Sequence, residues 1–231
     1  MTAEHDTTGS ASQAAPSGVQ PPPWEDPGLD GGRGLYFTLR DLLLSPRSFF
    51  QNLGEAGISE PLTFGLLTGV LGLAAACIWQ TLIAQVLLLP MEEESWMALL
   101  LAPPGTTEAV VFMLLSPLLV LLNLILSAAC LWFSVRLLRP GVAFTPVWRV
   151  SSYAQGGAAA GVIPGLGLIL ATVWVLVLIY QGVKAKWELT GGQGFLALML
   201  FLGFQTLALA LAAGVILGAL FIFLGLAYLF L

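Results

Sequence analysis

Residues 149–186 read RVSSYAQGGAAAGVIPGLGLILATVWVLVLIYQGVKAK, and no charged side chain lies between Arg149 and Lys184. A single helix over 150–183 would be about 50 Å long, against a bilayer hydrocarbon core of roughly 30 Å. Pro164-Gly165 falls at the centre, with Gly161 and Gly167 close by. Proline cannot continue a helix smoothly and glycine allows a sharp reversal. The stretch therefore reads as a tight hairpin of two short spans, about 149–163 and 166–183, with both ends on one membrane side and both ends carrying cations. The first arm, SSYAQGGAAAG, has few bulky side chains. Such a helix is favoured inside a bundle rather than against lipid.

Composition agrees with a membrane setting. Apolar residues make up 58% of the 231-residue chain and charged residues 9%, whereas soluble domains carry about 25% charged residues. The net charge of -5 comes from scattered carboxylates, and no basic cluster suggests nucleic acid. The first apolar run begins late and is full length, so no secretory signal is expected.

Residues 1–34, rich in Pro, Gly, Ser, Thr and acidic side chains, read as a disordered cytoplasmic tail. His5 and Trp24 within it are assigned no role. In 35–60, LYFTLRDLLLSPRSFFQNLGEAGISE, apolar and charged residues alternate with helical periodicity, but the segment is too short and too charged to span. It reads as two interfacial amphipathic helices, about 36–44 and 46–53, with Ser45-Pro46 starting the second. Arg40 and Arg47 would meet lipid phosphates there, with Phe49 and Phe50 as anchors at headgroup level.

The remaining spans are expected at about 62–89, 109–135 and 195–220. The final uncharged run, 195–231, reads as one long or bent span, with two tight spans, and so six in all, as the alternative. Gly65, Gly69 and Gly72 form a small-residue strip suited to close helix contact. Pro117 predicts a kink. Residues 140–148 and 184–194 read as loops. The expected fold is thus all-α: a polytopic transmembrane helix bundle of five spans behind N-terminal interfacial helices.

The eight basic residues fall before the first span, around the 136–149 loop, and at Lys184 and Lys186. Five spans place them all on one side, which makes the N-terminus cytoplasmic and the C-terminus external. A bacterial inner membrane is the expected location.

Polar residues within the spans are the candidate functional contacts: Gln80, Asn123, Tyr153, Gln155 and Gln205. They can serve interhelical hydrogen bonding or line a pathway. Catalytic chemistry finds no support: the spans hold neither His nor Asp, and Ser151 and Ser152 lack a base. Cys77 and Cys130 read as buried thiols. Glu92, Glu93, Glu94 and Glu108 read as a solvated loop rather than a calcium site. No cofactor or metal is expected.

Several of these residues resemble the Yip domain family of Ypt/Rab-interacting membrane proteins. Pro61-Leu62-x-Phe64 followed by Gly69 looks like that family's PLxF…G entry to the first span. SSYAQGG is similar to its S-x-x-Y/G-Y region, and LLLSPRSFF resembles bacterial members. The likeness covers roughly 35–225, with 61–231 as the Yip-type membrane domain. Where eukaryotic members carry an acidic DLxGP, Ile58-Ser59-Glu60-Pro61 stands here, which departs from the branch that binds small GTPases. The resemblance implies a non-enzymatic scaffold or adaptor in membrane organisation or trafficking. Its partners would be the bilayer, a protein on the cytoplasmic face, and further copies of itself or other subunits. The alternative is a small transporter or channel subunit with a polar intramembrane pathway.

Overall fold

A computed structural model describes residues 21–54, 57–87 and 106–229. Among them the secondary structure is entirely helical. Four helices are long and apolar enough to cross a membrane, over Ser59–Ile83, Val110–Leu138, Gly167–Lys186 and Gly191–Ala219. The chain therefore has the architecture of an integral, multi-pass membrane protein.

Helix α1 (Gly31–Leu44) begins where Asp30 accepts a hydrogen bond from the Arg33 amide at 2.9 Å, an acidic N-cap. Helix α2 (Pro46–Gln51) has Ser45 at its N-cap and Pro46 in its first turn, although the Ser45 side chain makes no capping bond. Two short helices stand here, the first beginning at Gly31 rather than near 36, and the burial of their aromatics differs from the interfacial reading. Phe50 is fully buried in the main core cluster, and Phe49 lies edge-on to Tyr153 with ring centroids 5.3 Å apart. These aromatics anchor the segment to the bundle rather than to lipid. Arg40 and Arg47 are exposed, and Arg40 is paired with its neighbour Asp41 at 2.8 Å.

Helix α3 (Ser59–Leu87) is the first long helix and α4 (Thr106–Leu138) the second. Pro117 inside α4 has no N–H to offer the Met113 carbonyl four residues back. The Ser116 hydroxyl donates to that same carbonyl at 2.7 Å, so a side chain supplies the missing hydrogen bond. The glutamates at 92–94 lie outside the described residues.

The hairpin turns where its sequence indicates. Gly165 has φ of 73° and the Leu166 amide donates to the Pro164 carbonyl at 2.8 Å. Its arms differ from the expected pair. The first begins earlier, at Phe144 within the segment read as a loop, as α5 (Phe144–Ala154), and continues as a 3-10 helix over Gln155–Val162. In a 3-10 helix side chains three apart eclipse one another. Here every such pair has at least one Gly or Ala member, from Gln155 with Ala158 to Ala159 with Val162, and the three central pairs, Gly156 with Ala159, Gly157 with Ala160 and Ala158 with Gly161, hold only those two residue types. The second arm is α6 (Gly167–Lys186). A short link leads to α7 (Gly191–Leu229), one uninterrupted helix of 39 residues. Thr190 and Gln193 cap it reciprocally, each accepting from the other's backbone amide.

The small-residue arm sits between α3 and α6 at backbone contact. A Cβ at Gly72 would lie 2.1 Å from the Ala158 carbonyl oxygen, and one at Gly157 would lie 2.7 Å from the Val175 amide nitrogen. Gly65 meets the Ser152 backbone of α5 in the same way, and Gly69 makes room for the Val120 side chain of α4. The glycine strip expected on the first span is the seam of the bundle.

Candidate functional site

Two polar constellations lie within this frame. One is at the end of the bundle where the chain enters. Residues 21–34, assigned from composition to a disordered tail, are folded there. A 3-10 turn over Pro23–Glu25 lays Trp24 and Glu25 against the membrane helices. The Trp24 amide donates to Thr38 Oγ1 at 2.8 Å, its indole N–H donates to the Glu60 carbonyl at 2.9 Å, and its ring meets Phe64 edge-on. Glu25 Oε1 accepts from Arg149 Nη2 at 2.6 Å and from the Tyr153 hydroxyl at 2.5 Å. Arg149 and Tyr153 are four apart on α5 and so share a face. Arg149 is 1% exposed and also donates to the Gly57 carbonyl. Tyr153 lies between Phe49 and Phe64. This closed clasp pairs a buried guanidinium with a carboxylate and holds the entry segment down.

The second constellation is a cavity of about 550 Å³ among α3, α4, the small-residue arm, α6 and α7. Asn123, Ser127, Ser151, Gln155, Gln205 and Thr206 line it, with Thr172, in an otherwise apolar wall. Gln205 Nε2 donates to Asn123 Oδ1 at 3.3 Å and to Ser127 Oγ at 3.2 Å, which ties α7 to α4. Gln155, 8% exposed, faces the cavity from the 3-10 segment.

The structure thus brings together three of the five candidate polar residues, Asn123, Gln155 and Gln205. Tyr153 belongs to the clasp instead, and Gln80 is exposed on α3 away from the cavity. Sequence reasoning missed Glu25 altogether. The available signal was Arg149 itself, a cation beside a small-residue helix bound for the interior, which requires a carboxylate from elsewhere. Among the described residues, no group of His, Cys, Asp and Glu is arranged to hold a metal ion. Comparison with known proteins finds no matching family model, no similar curated sequence and no similar solved structure.

Proposed function

We propose that the chain is a five-span membrane protein of Yip type that acts as a non-enzymatic scaffold or adaptor in membrane organisation or trafficking. In this reading the basic end is cytoplasmic, the C-terminus is external, and the membrane is a bacterial inner membrane. One observation carries the functional part: residues 21–53 form a collar clamped onto the basic end. Lys186 fastens the chain just after α2 by donating to the Leu53 carbonyl at 2.7 Å, while the clasp fastens Glu25. The collar leaves Tyr36 63% exposed and Leu44 77% exposed, near the exposed Arg33, Arg40 and Arg47. That is a built surface for a protein partner.

The fifth crossing is supplied by α5 with its 3-10 continuation. Its eleven α-helical residues and eight 3-10 residues rise about 32 Å in sum, close to the hydrocarbon thickness. The 3-10 geometry makes a short segment long enough. Single cysteines at Gly141 and at Gly165, which flank this segment, in a background with Cys77 and Cys130 changed to Ala, are expected to react with an impermeant maleimide from opposite sides of the membrane. Reaction of both from one side would end the five-span scheme.

The scaffold role is tested by photocrosslinking in cells from Tyr36 and Leu44. The expected result is one discrete protein adduct, lost in Arg40→Glu and absent when the crosslinker stands at Ile163. Adducts to lipid alone would overturn it. The cavity favours a second reading, a small transporter or channel subunit. Flux into liposomes that is lost in Asn123→Leu or Gln155→Leu would select it.

A further inference from the structure

We infer that the central cavity is a binding site for an uncharged, single-chain amphiphile bearing a hydroxyl or amide group, entering from the bilayer. The inference does not rest on the scaffold reading. Four observations carry it.

The volume, about 550 Å³, lies within the range of dedicated small-molecule sites. It is not a packing fault, because protein interiors leave few voids larger than a water molecule.

The polar groups are placed on two walls. Gln155 is more than nine-tenths buried, points into the space, and has no hydrogen-bond partner among the described residues. An amide in that position is costly unless something in the cavity satisfies it. It offers two donors and an acceptor, so a hydroxyl or amide on the ligand matches it. Across the cavity, Gln205 and Asn123 have used one donor and one acceptor on each other, which leaves the Asn123 amide donors and the Gln205 carbonyl for a ligand.

Charge decides against an ion. Among the described residues lining the cavity none is charged, and an ionised ligand at this depth would lack a counter-charge in a low-dielectric setting.

The entrance decides the source. Phe112, Leu119, Leu168 and Leu209 line the cavity yet are exposed on the outer surface of membrane-crossing helices. The space therefore opens sideways onto the face that lipid covers, and a ligand with a hydrocarbon body reaches it from the bilayer.

The test uses the full chain in phosphatidylcholine nanodiscs. The probe is a long-chain alcohol carrying a diazirine, with two controls: the same chain ending in a carboxylate, and a short water-soluble alcohol probe added from the aqueous phase. The long-chain alcohol is expected to label α6 and α7 on their cavity sides, around Val175 and Gln205, more strongly than either control. Gln155→Leu is expected to lower that label roughly 3- to 10-fold, the worth of one hydrogen bond in a buried site. A crosslink at Val215, outside the cavity, should not change. Ser151→Ala and Gln205→Leu give the same readout should Gln155→Leu fail to fold. Label spread evenly over the lipid-facing helices, equal labelling by the carboxylate, preference for the water-borne probe, or indifference to all three substitutions would each overturn the inference.

Discussion

Glycine serves opposite ends in two parts of this molecule. Gly72 and Gly161 face one another where α3 meets the small-residue arm, and a Cβ at Gly161 would come within 2.5 Å of the Gly72 carbonyl oxygen. Gly214 and Gly218 have the spacing of a helix-packing motif, yet a Cβ on either would meet nothing within 4 Å among the described residues. The pattern alone does not create a contact. What distinguishes the first region is a complementary partner: a helix of Ser, Gly and Ala whose backbone can approach, closed at its end by Trp24 and Glu25. The far end of α7 presents Leu211, Val215, Ile216 and Phe221, all exposed and suited to lipid.

If the packed region is held by the clasp, breaking the clasp has the largest effect. Glu25→Ala takes a carboxylate from the buried Arg149 guanidinium and from the Tyr153 hydroxyl. The expected loss is about 3 kcal/mol, the scale for removing one member of a buried pair. Thermal unfolding in detergent measures it, and limited proteolysis should newly cut within 21–34. A shift no larger than that of a surface mutation would mean that the clasp rests on the bundle without holding it.

The two glycine regions are compared directly by Gly72→Ala and Gly214→Ala. The first drives a methyl group into a carbonyl oxygen of a backbone that cannot rotate away, and should cost roughly 1–3 kcal/mol. The second meets no described residue and exchanges glycine for a better helix former. It should be neutral or slightly stabilising. Equal effects would remove the distinction between the regions.

Legibility in the sequence follows the same division. The hairpin was readable because an uncharged run too long for one span carried Pro164-Gly165 at its centre. The interior place of SSYAQGGAAAG was readable because it lacks the side chains that lipid favours. The change to 3-10 geometry was not, since eclipsed small residues leave no periodic trace. The folded entry segment was hidden for another reason. Glu25 and Arg149 are 124 residues apart, and a pairing at that distance cannot be seen in the composition of a Pro-rich stretch. Phe49 and Phe50 were misread because an aromatic at the end of an amphipathic helix looks the same facing lipid or facing a neighbouring helix. Asn123, Gln155 and Gln205 stood out as polar groups in apolar runs, but their convergence on one cavity is a property of the packing.

Within α4, Ser116→Ala probes a smaller term. The Met113 carbonyl would lose the hydroxyl that replaces the N–H absent from Pro117, at a cost of about 1 kcal/mol. Ser116→Thr keeps the hydroxyl and should recover most of it, as read by the same unfolding measurement. Failure of threonine to recover stability, with its hydroxyl in place, would locate the role of Ser116 in its size.

The smallest effect is expected where α7 joins the packed region. Gln205 reaches Asn123 and Ser127 at 3.3 and 3.2 Å, at the long end of the hydrogen-bond range. Interhelical hydrogen bonds in membrane proteins average about 0.6 kcal/mol, because the separated helices also find partners. A double-mutant cycle between Gln205→Leu and Asn123→Leu should therefore return a coupling of about that size. The value bears on the comparison of regions, because α7 is packed near Ala197 and Phe201 and open beyond Leu209, with Gln205 between. A coupling well above that value would make the amide pair the lock that fixes α7 to the bundle. A coupling indistinguishable from zero would leave α7 held by apolar contact alone and both amides free to serve the cavity.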